Sequence, residues 1–432
     1  MNHHARHAAR LTAHGRIDRR QFLGLGAGLV AAGLAGCDDD NGGAVPTSTG
    51  SSVASTSGST SAPVLTPTRR LVVVQLNGGN DLLNTLPPAS GRYRDLRPTL
   101  AVPESEVVAL GGVADCGLHP SLAGLTSFWD AGQLAVLRGI GFQNPNRSHF
   151  VSMDRWWRAD DVTAPGWLGR VLDGVPDPAP LYATALGAAA PLLNGTTFSP
   201  TVVTSAGAFS WVGVDSHSVL ALAGGRADGE DDLAAGLRAA YGRAASAVDD
   251  FAAVASGVED TASGTVELLP SREGTATIGE GLAIAAELLT ASVGTQFVVV
   301  SASGFDTHSG QDTTHRRLLA DLNDGLVSFF QAMNGAGLGD DVLVVTTSEF
   351  GRRAAENGSG GCDHGAGGLS LVLGSAVRGG IYGEVDLDNL LDGDVRPTVD
   401  PTALYTTCLD WVGADAASLL GRRDDSLNLL AG

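Results

Sequence analysis

The strongest constraint on how this chain folds is a repeated pairing: five short apolar runs, each next to a cluster of polar and ionisable residues. Leu71-Val72-Val73-Val74-Gln75-Leu76 is a nearly continuous β-branched run, the pattern of a strand buried on both faces. It stops at Asn77-Gly78-Gly79-Asn80-Asp81. A run at 133–140 stops at a polar loop that carries Arg147, Ser148 and His149. A run at 296–300 leads into Ser303-Gly304-Phe305-Asp306-Thr307-His308. A run at 342–345 leads into Ser348-Glu349-Phe350-Gly351-Arg352-Arg353. The fifth, 369–373, instead follows Gly361-Cys362-Asp363-His364-Gly365. Helical spacing marks 231–255, 278–289 and 315–333 between these runs. Strands alternating with helices predict an α/β fold with a doubly wound, mostly parallel sheet and helices on both faces. In such sheets ligands bind at the carboxyl ends of the strands. Residues 160–230 mix Gly, Ala and Pro with short apolar runs and are expected to form an insertion capping one side of the sheet.

Residues 1–36 read as an export signal. Arg6, Arg10 and Arg16 precede the twin arginines Arg19-Arg20, and an apolar, Gly/Ala-rich stretch follows that is too short to span a bilayer. It ends in Leu34-Ala35-Gly36-Cys37, which resembles a lipoprotein cleavage box with Cys37 as the lipidated residue. The expectation is export by a twin-arginine translocase and membrane attachment through Cys37, in the cell envelope or periplasm. Residues 37–68, rich in Ser, Thr, Gly, Ala and Pro, read as a tether, and 69–432 as the folded body. The body keeps Cys116, Cys362 and Cys408, enough for one disulfide and a spare thiol.

The chain carries 47 acidic residues against 27 basic ones, all of them arginine, for a formal charge of -20. This excludes a nucleic-acid partner held by a basic surface. Phosphate-ester substrates remain compatible if bound cations supply the positive charge. The polar clusters offer the ligands: Asp81, Asp306, His308, Glu349, Asp363 and His364. Mixed carboxylate and imidazole donors suit zinc, manganese or iron(II), and an all-oxygen subset would suit calcium. Each residue also has a plainer reading. Asp81 or Asp306 can cap a helix, Asp363 can pair with Arg352 or Arg353, and His364 can be an ordinary loop histidine. Ser148, before a helical stretch, is either an N-cap or a metal-activated nucleophile, with His149 beside it and Arg147 or Arg352 placed to steady an oxyanion.

Asn77-Gly78-Gly79-Asn80-Asp81-Leu82-Leu83-Asn84-Thr85 resembles the opening motif of a large bacterial family, number fifteen-oh-one in the domain-of-unknown-function series. Gly117-Leu118-His119-Pro120, Arg147-Ser148-His149-Phe150, Phe305-Asp306-Thr307-His308, Ser348-Glu349-Phe350-Gly351-Arg352 and Asp363-His364-Gly365 follow in that family's order. The resemblance runs from about Arg70 to the C-terminus. It implies an alkaline-phosphatase-like fold of the sulfatase superfamily and metal-dependent hydrolysis of phosphate or sulfate esters. By the same resemblance Asp81, Asp306, His308 and His364 would be metal ligands and Ser148 the nucleophile. Three features depart from the superfamily pattern, one being that the spacing from Asp306 to His308 is shorter than the usual Asp-to-His spacing. Phe350 follows Glu349 where a histidine usually follows an aspartate, and no cysteine has the Pro and Arg of a formylglycine sulfatase signature. The function expected is therefore an exported metal-dependent ester hydrolase. The alternative is a non-catalytic, lipid-anchored envelope protein that keeps the fold.

Overall fold

A computed structural model describes residues 65–66, 68–204, 218–220, 223, 232–261 and 277–431. The export signal, Cys37 and nearly all of the tether lie outside the described residues. The centre of the molecule is an eight-stranded sheet built from β1 (Arg70–Leu76), β4 (Leu134–Ile140), β5 (Ala183–Leu186), β6 (Thr201–Val203), β7 (Phe297–Ala302), β8 (Val342–Thr347), β9 (Gly368–Leu373) and β10 (Gly380–Tyr382). A separate two-stranded ribbon joins β2 (Val108–Ala109) to β3 (Gly117–Leu118). The order across the large sheet is β10-β4-β9-β8-β1-β7-β5-β6. All neighbours pair in parallel except β9, which is antiparallel to both β8 and β4.

The reversed strand places the last cluster. Because β9 runs against the others, the loop that precedes it sits at the edge where the other strands end. Asp363 and His364 therefore reach the same edge as the loops after β1, β4, β7 and β8.

Alternation along β1 explains why the runs are apolar at nearly every position. Val72, Val74 and Leu76 join one buried cluster, and Leu71 and Val73 join the other. The first cluster takes in α4 (Ile278–Thr290) and α5 (Gln311–Gly335), together with Phe251 of α3 (Asp232–Thr261). The second takes in Trp156 of α2 (His149–Arg158) and Leu404, Tyr405 and Leu409 of α6 (Pro401–Trp411). Helices thus cover both faces, as the sequence predicts. A short first helix, α1 (Leu82–Thr85), follows β1 directly.

One expectation needs correcting. The part of 160–230 that is described does not only cap the sheet: β5 and β6 extend it, with β5 beside β7 and β6 at the edge. The four residues of β5, Ala-Thr-Ala-Leu, are too short and too small-chained to produce a strand signal. The three body cysteines are free thiols, each buried, rather than two of them being bridged. Burial pushes Cys116 and Cys362 up to about 12, which leaves them protonated and inert. Among the described residues, no helix is long and apolar enough to cross a membrane.

Candidate metal centre at the carboxyl edge of the sheet

The loops after β1 and β8 are stitched together before any ligand is considered. The Gly78 amide donates to Glu349 Oε1 at 2.8 Å and the Asn80 amide to Ser348 Oγ at 2.8 Å, while Ser348 Oγ donates to the Leu76 carbonyl at 2.7 Å. Gly78 takes a φ of +123°, and a Cβ there would collide with the Asp306 backbone, so only glycine lets the loop after β1 approach the loop after β7. Arg352 adds a second set of ties. Only 1% exposed, it donates to the carbonyls of Gly79, Cys362, Gly78 and Phe305. Its Nη2 also binds Asp306 Oδ1 at 2.7 Å.

On this platform three imidazoles converge on Asp306. His149 Nε2 lies 3.4 Å from Asp306 Oδ2; His308 Nε2 and His364 Nε2 lie 3.2 and 3.1 Å from Asp306 Oδ1. The Nε2 atoms of His308 and His364 are 2.8 Å apart. Donor atoms of His149, Asp306 and His364 all fall within 4.8 Å of one another. Each imidazole is oriented through its other nitrogen. His149 Nδ1 meets Glu349 Oε1 at 2.7 Å, His308 Nδ1 meets Asp363 Oδ1 at 3.0 Å, and His364 Nδ1 meets the Arg147 carbonyl at 2.8 Å. Phe350 packs against the rings of His149 and His364, with centroids 4.9 and 4.7 Å away, and so walls one side of the cluster.

The electrostatics follow these contacts. Burial pushes the Asp306 carboxyl up, but the bonds from Arg352 and His364 outweigh it and hold the group below its ordinary range. The bond to Glu349 raises His149 above its usual value, against the opposing effect of burial. Asp363 is lowered by bonds from Asn357 and then from His308.

The remaining candidates from the sequence are placed differently. Asp81 does not join the convergent group. It caps α1 by accepting from the Leu83 amide, and its Oδ2 pairs with the fully buried Arg97 at 2.5 Å and also accepts from Gln311. Burial raises the Asp81 carboxyl, but Arg97 outweighs it and keeps the group ionised. Glu349 and Asp363 face the Nδ1 atoms of histidines rather than the centre, so they stand behind it. Arg352 is too deeply enclosed and too fully engaged to bind a substrate oxyanion. Arg147 is half exposed, but its guanidinium is committed to the buried Asp394 through Nε at 3.0 Å and Nη2 at 2.6 Å. Ser148 occupies the N-cap position of α2, yet its hydroxyl makes no capping bond and the residue is exposed.

Sequence reasoning missed Arg97, Gln311, His315 and Asp394, all fully or nearly buried. No local pattern distinguishes Arg97 from a surface arginine; only its partner Asp81 does. Behind Asp81, His315 Nε2 bonds Asn80 Oδ1 at 2.9 Å, and His119 stacks edge-on against His315. Burial lowers His119 to about 3 and His315 to about 4, so both are neutral in the fold. An unfolded histidine titrates near 6.5, so the unfolded chain takes up protons first as the pH falls. Stability from these two groups is therefore complete above about pH 6.5. It should fall by roughly 1.4 kcal/mol per pH unit for each histidine from there down toward pH 4. Denaturant melts at pH 7.5, 6 and 5 measure this, and His315→Gln should flatten the slope. A slope that is flat in the unaltered protein contradicts the assignment.

Several solved structures are similar in outline. A protein in the alkaline phosphatase superfamily from Vibrio parahaemolyticus shares 9% identity over 82% of this chain and 69% of its own, with a TM-score of 0.39. The phosphonate monoester hydrolase SpPMH from Silicibacter pomeroyi shares 11% over 83% and 78%, with a TM-score of 0.34. The lipoteichoic acid synthase LtaP from Listeria monocytogenes shares 11% over 84% and 76%, with a TM-score of 0.32. No curated protein matches the chain. A family model does match, over residues 135–430, a span that holds β4 but for its first residue, β5 through β10, and the polar loops carrying His149, Asp306, His308 and His364, but not the loop after β1. With its convergent centre inside that span, the chain belongs to the family described as Protein of unknown function (DUF1501).

Proposed function

We propose that the chain is an exported, metal-dependent hydrolase of phosphate or related esters, working at the edge where His149, Asp306, His308 and His364 meet. One observation carries this reading. All three imidazoles have Nδ1 taken by a carboxylate or a carbonyl, which leaves all three Nε2 atoms turned toward one ionised aspartate. Histidines that ligate metals are oriented in this way by outer partners. The donor set of three nitrogens and a carboxylate fits zinc, manganese or iron(II), and not calcium, which takes oxygen ligands. A cation held there would polarise an ester oxygen and offset its negative charge.

The chain's own groups supply the rest. Ser148 presents an unengaged hydroxyl at the N-terminus of the ten-residue helix α2, where backbone amides favour an anion. In this reading its oxygen attacks the phosphorus or sulfur, the bond to the ester's alcohol breaks and that alcohol leaves with the hydroxyl proton, and water then hydrolyses the serine ester to release the acid and restore Ser148. His149, one residue on, is fixed by Glu349, so the start of α2 and the centre hold a constant relation. Arg147 and Asp394 shape the adjoining wall. Export and lipid attachment rest on the twin arginines and the box ending at Cys37.

The test is turnover. The purified mature protein, loaded with zinc or manganese, is assayed on an aryl phosphate, a bis-aryl phosphodiester and an aryl sulfate. Hydrolysis of at least one is expected, lost on chelation and in Ser148→Ala. A second reading has one observation in its favour: both arginines expected at an oxyanion are already ion-paired. Metal bound tightly, a lower melting temperature on chelation and no turnover of any ester would establish a non-catalytic envelope protein instead.

A further inference from the structure

We propose that Asn357 is a positioning residue of the metal centre, holding Asp363 where it turns His308 Nε2 toward Asp306; this rests on the metal-dependent reading and names the side chain on which its third imidazole depends. The three imidazoles are not held alike. His149 Nδ1 faces Glu349, whose side chain is 2% exposed and whose Oε1 also takes the Gly78 amide. His364 Nδ1 faces a backbone carbonyl, that of Arg147. His308 Nδ1 instead faces Asp363, and these two side chains are 44% and 54% exposed. An exposed polar pair gains little on its own, because ordering two mobile side chains offsets most of the attraction. His308 also stands outside the group whose donor atoms all lie within 4.8 Å of one another, namely His149, Asp306 and His364. It is therefore the imidazole whose place in the centre depends most on its outer partner.

Asn357 supplies the order that Asp363 lacks. Its Nδ2 donates to Asp363 Oδ1 at 3.0 Å and to the His308 carbonyl at 3.0 Å. One amide nitrogen thus fixes both ends of the contact: the carboxylate oxygen that His308 Nδ1 meets, and the backbone that carries the ring. Its Oδ1 faces the other way and accepts from the amides of Ser359 at 2.8 Å and Gly361 at 3.3 Å. Two N–H donors and two oxygen lone pairs are all in use, a combination that an aspartate, without donors, cannot reproduce.

Asn357 is itself anchored. Glu356, the residue before it, accepts from the amides of Thr99 and Leu100 at 3.0 and 2.8 Å, and its own amide donates to the Leu96 carbonyl at 3.1 Å. The loop between β8 and β9 is therefore tied to the body immediately beside Asn357, which faces His308 from a fixed base.

The experiment is a double-mutant cycle with His308, read on the purified mature protein as zinc affinity, by competition with a chromophoric chelator, and as zinc-edge X-ray absorption. Asn357→Ala removes the donor without adding charge. Asn357→Asp keeps the oxygen that Ser359 and Gly361 bind and removes the donor. Each should weaken zinc binding by about tenfold, the lower end of the cost of losing an outer partner, and each should diminish one histidine contribution to the spectrum. In a His308→Ala background the same two substitutions should leave zinc affinity unchanged, because the ring they position is gone. An equal loss in that background overturns the inference, since Asn357 would then support the loop as a whole. Weakening in only one of the two variants also overturns it, since added charge or the lost turn, and not the donor, would be the cause. An unaltered protein that binds no zinc defeats the metal-dependent reading and this inference with it; a three-histidine spectrum and an affinity that survive both substitutions defeat this inference alone.

Discussion

Asp306→Ala is expected to lower divalent-metal affinity and ester turnover together, each by at least about 100-fold. Substitutions of outer partners of metal ligands already cost roughly 10–100-fold, and Asp306 is the carboxylate on which all three Nε2 atoms converge. The substitution also leaves the buried Arg352 without its ion pair, so part of any loss could be structural. Asp306→Asn separates the two effects. The amide keeps an oxygen that can accept from Arg352 but removes the charge a cation needs. Metal content and turnover should fall in Asp306→Asn while its denaturant midpoint stays closer to that of the unaltered protein than the midpoint of Asp306→Ala does. Metal content equal to that of the unaltered protein in both variants would remove Asp306 from the centre.

Asp81→Ala should act in the opposite way, on stability and not on metal. Its carboxylate and the Arg97 guanidinium are 1% and 0% exposed and lie 2.5 Å apart. Removing one partner of such a pair strands a buried charge and costs about 3–5 kcal/mol. The alanine also gives up the cap on α1 and the bond from Gln311. A large drop in unfolding free energy is therefore expected, with the metal-to-protein ratio of the folded fraction unchanged. If metal is lost at full stability, Asp81 is a ligand and the family resemblance is the better guide to its role.

These two residues show where sequence reasoning carries and where it stops. The five runs are readable because a strand buried on both faces is apolar at nearly every position, and β1, β4, β7, β8 and β9 fall within a few residues of them. Strand direction leaves no such mark. A cluster ahead of β9 makes sense only once β9 is known to be antiparallel, which brings Asp363 and His364 to the common edge. Clusters at that edge were foreseeable, but the roles within them were not. Asp81, Glu349 and Asp363 are acidic residues in the expected loops, yet each carboxylate's direction depends on a distant partner: Arg97, His149 or His308. His149 reads from its neighbours as an accessory to Ser148. The start of α2 turns its imidazole toward Asp306 instead. Phe350 follows Glu349 in the loop after β8 and offers no metal donor. Here it walls the cluster, and His149 provides an imidazole from another loop.

The central claim is that three imidazole nitrogens and Asp306 form one metal site. X-ray absorption at the metal edge, on protein loaded with one equivalent of zinc, tests it most directly. The spectrum should show three histidine ligands with nitrogen at about 2.0–2.1 Å and an oxygen ligand at a similar distance. It should lose one histidine contribution in His308→Ala and another in His364→Ala. A spectrum with oxygen ligands alone, or one that neither substitution changes, would contradict the account and send the metal elsewhere.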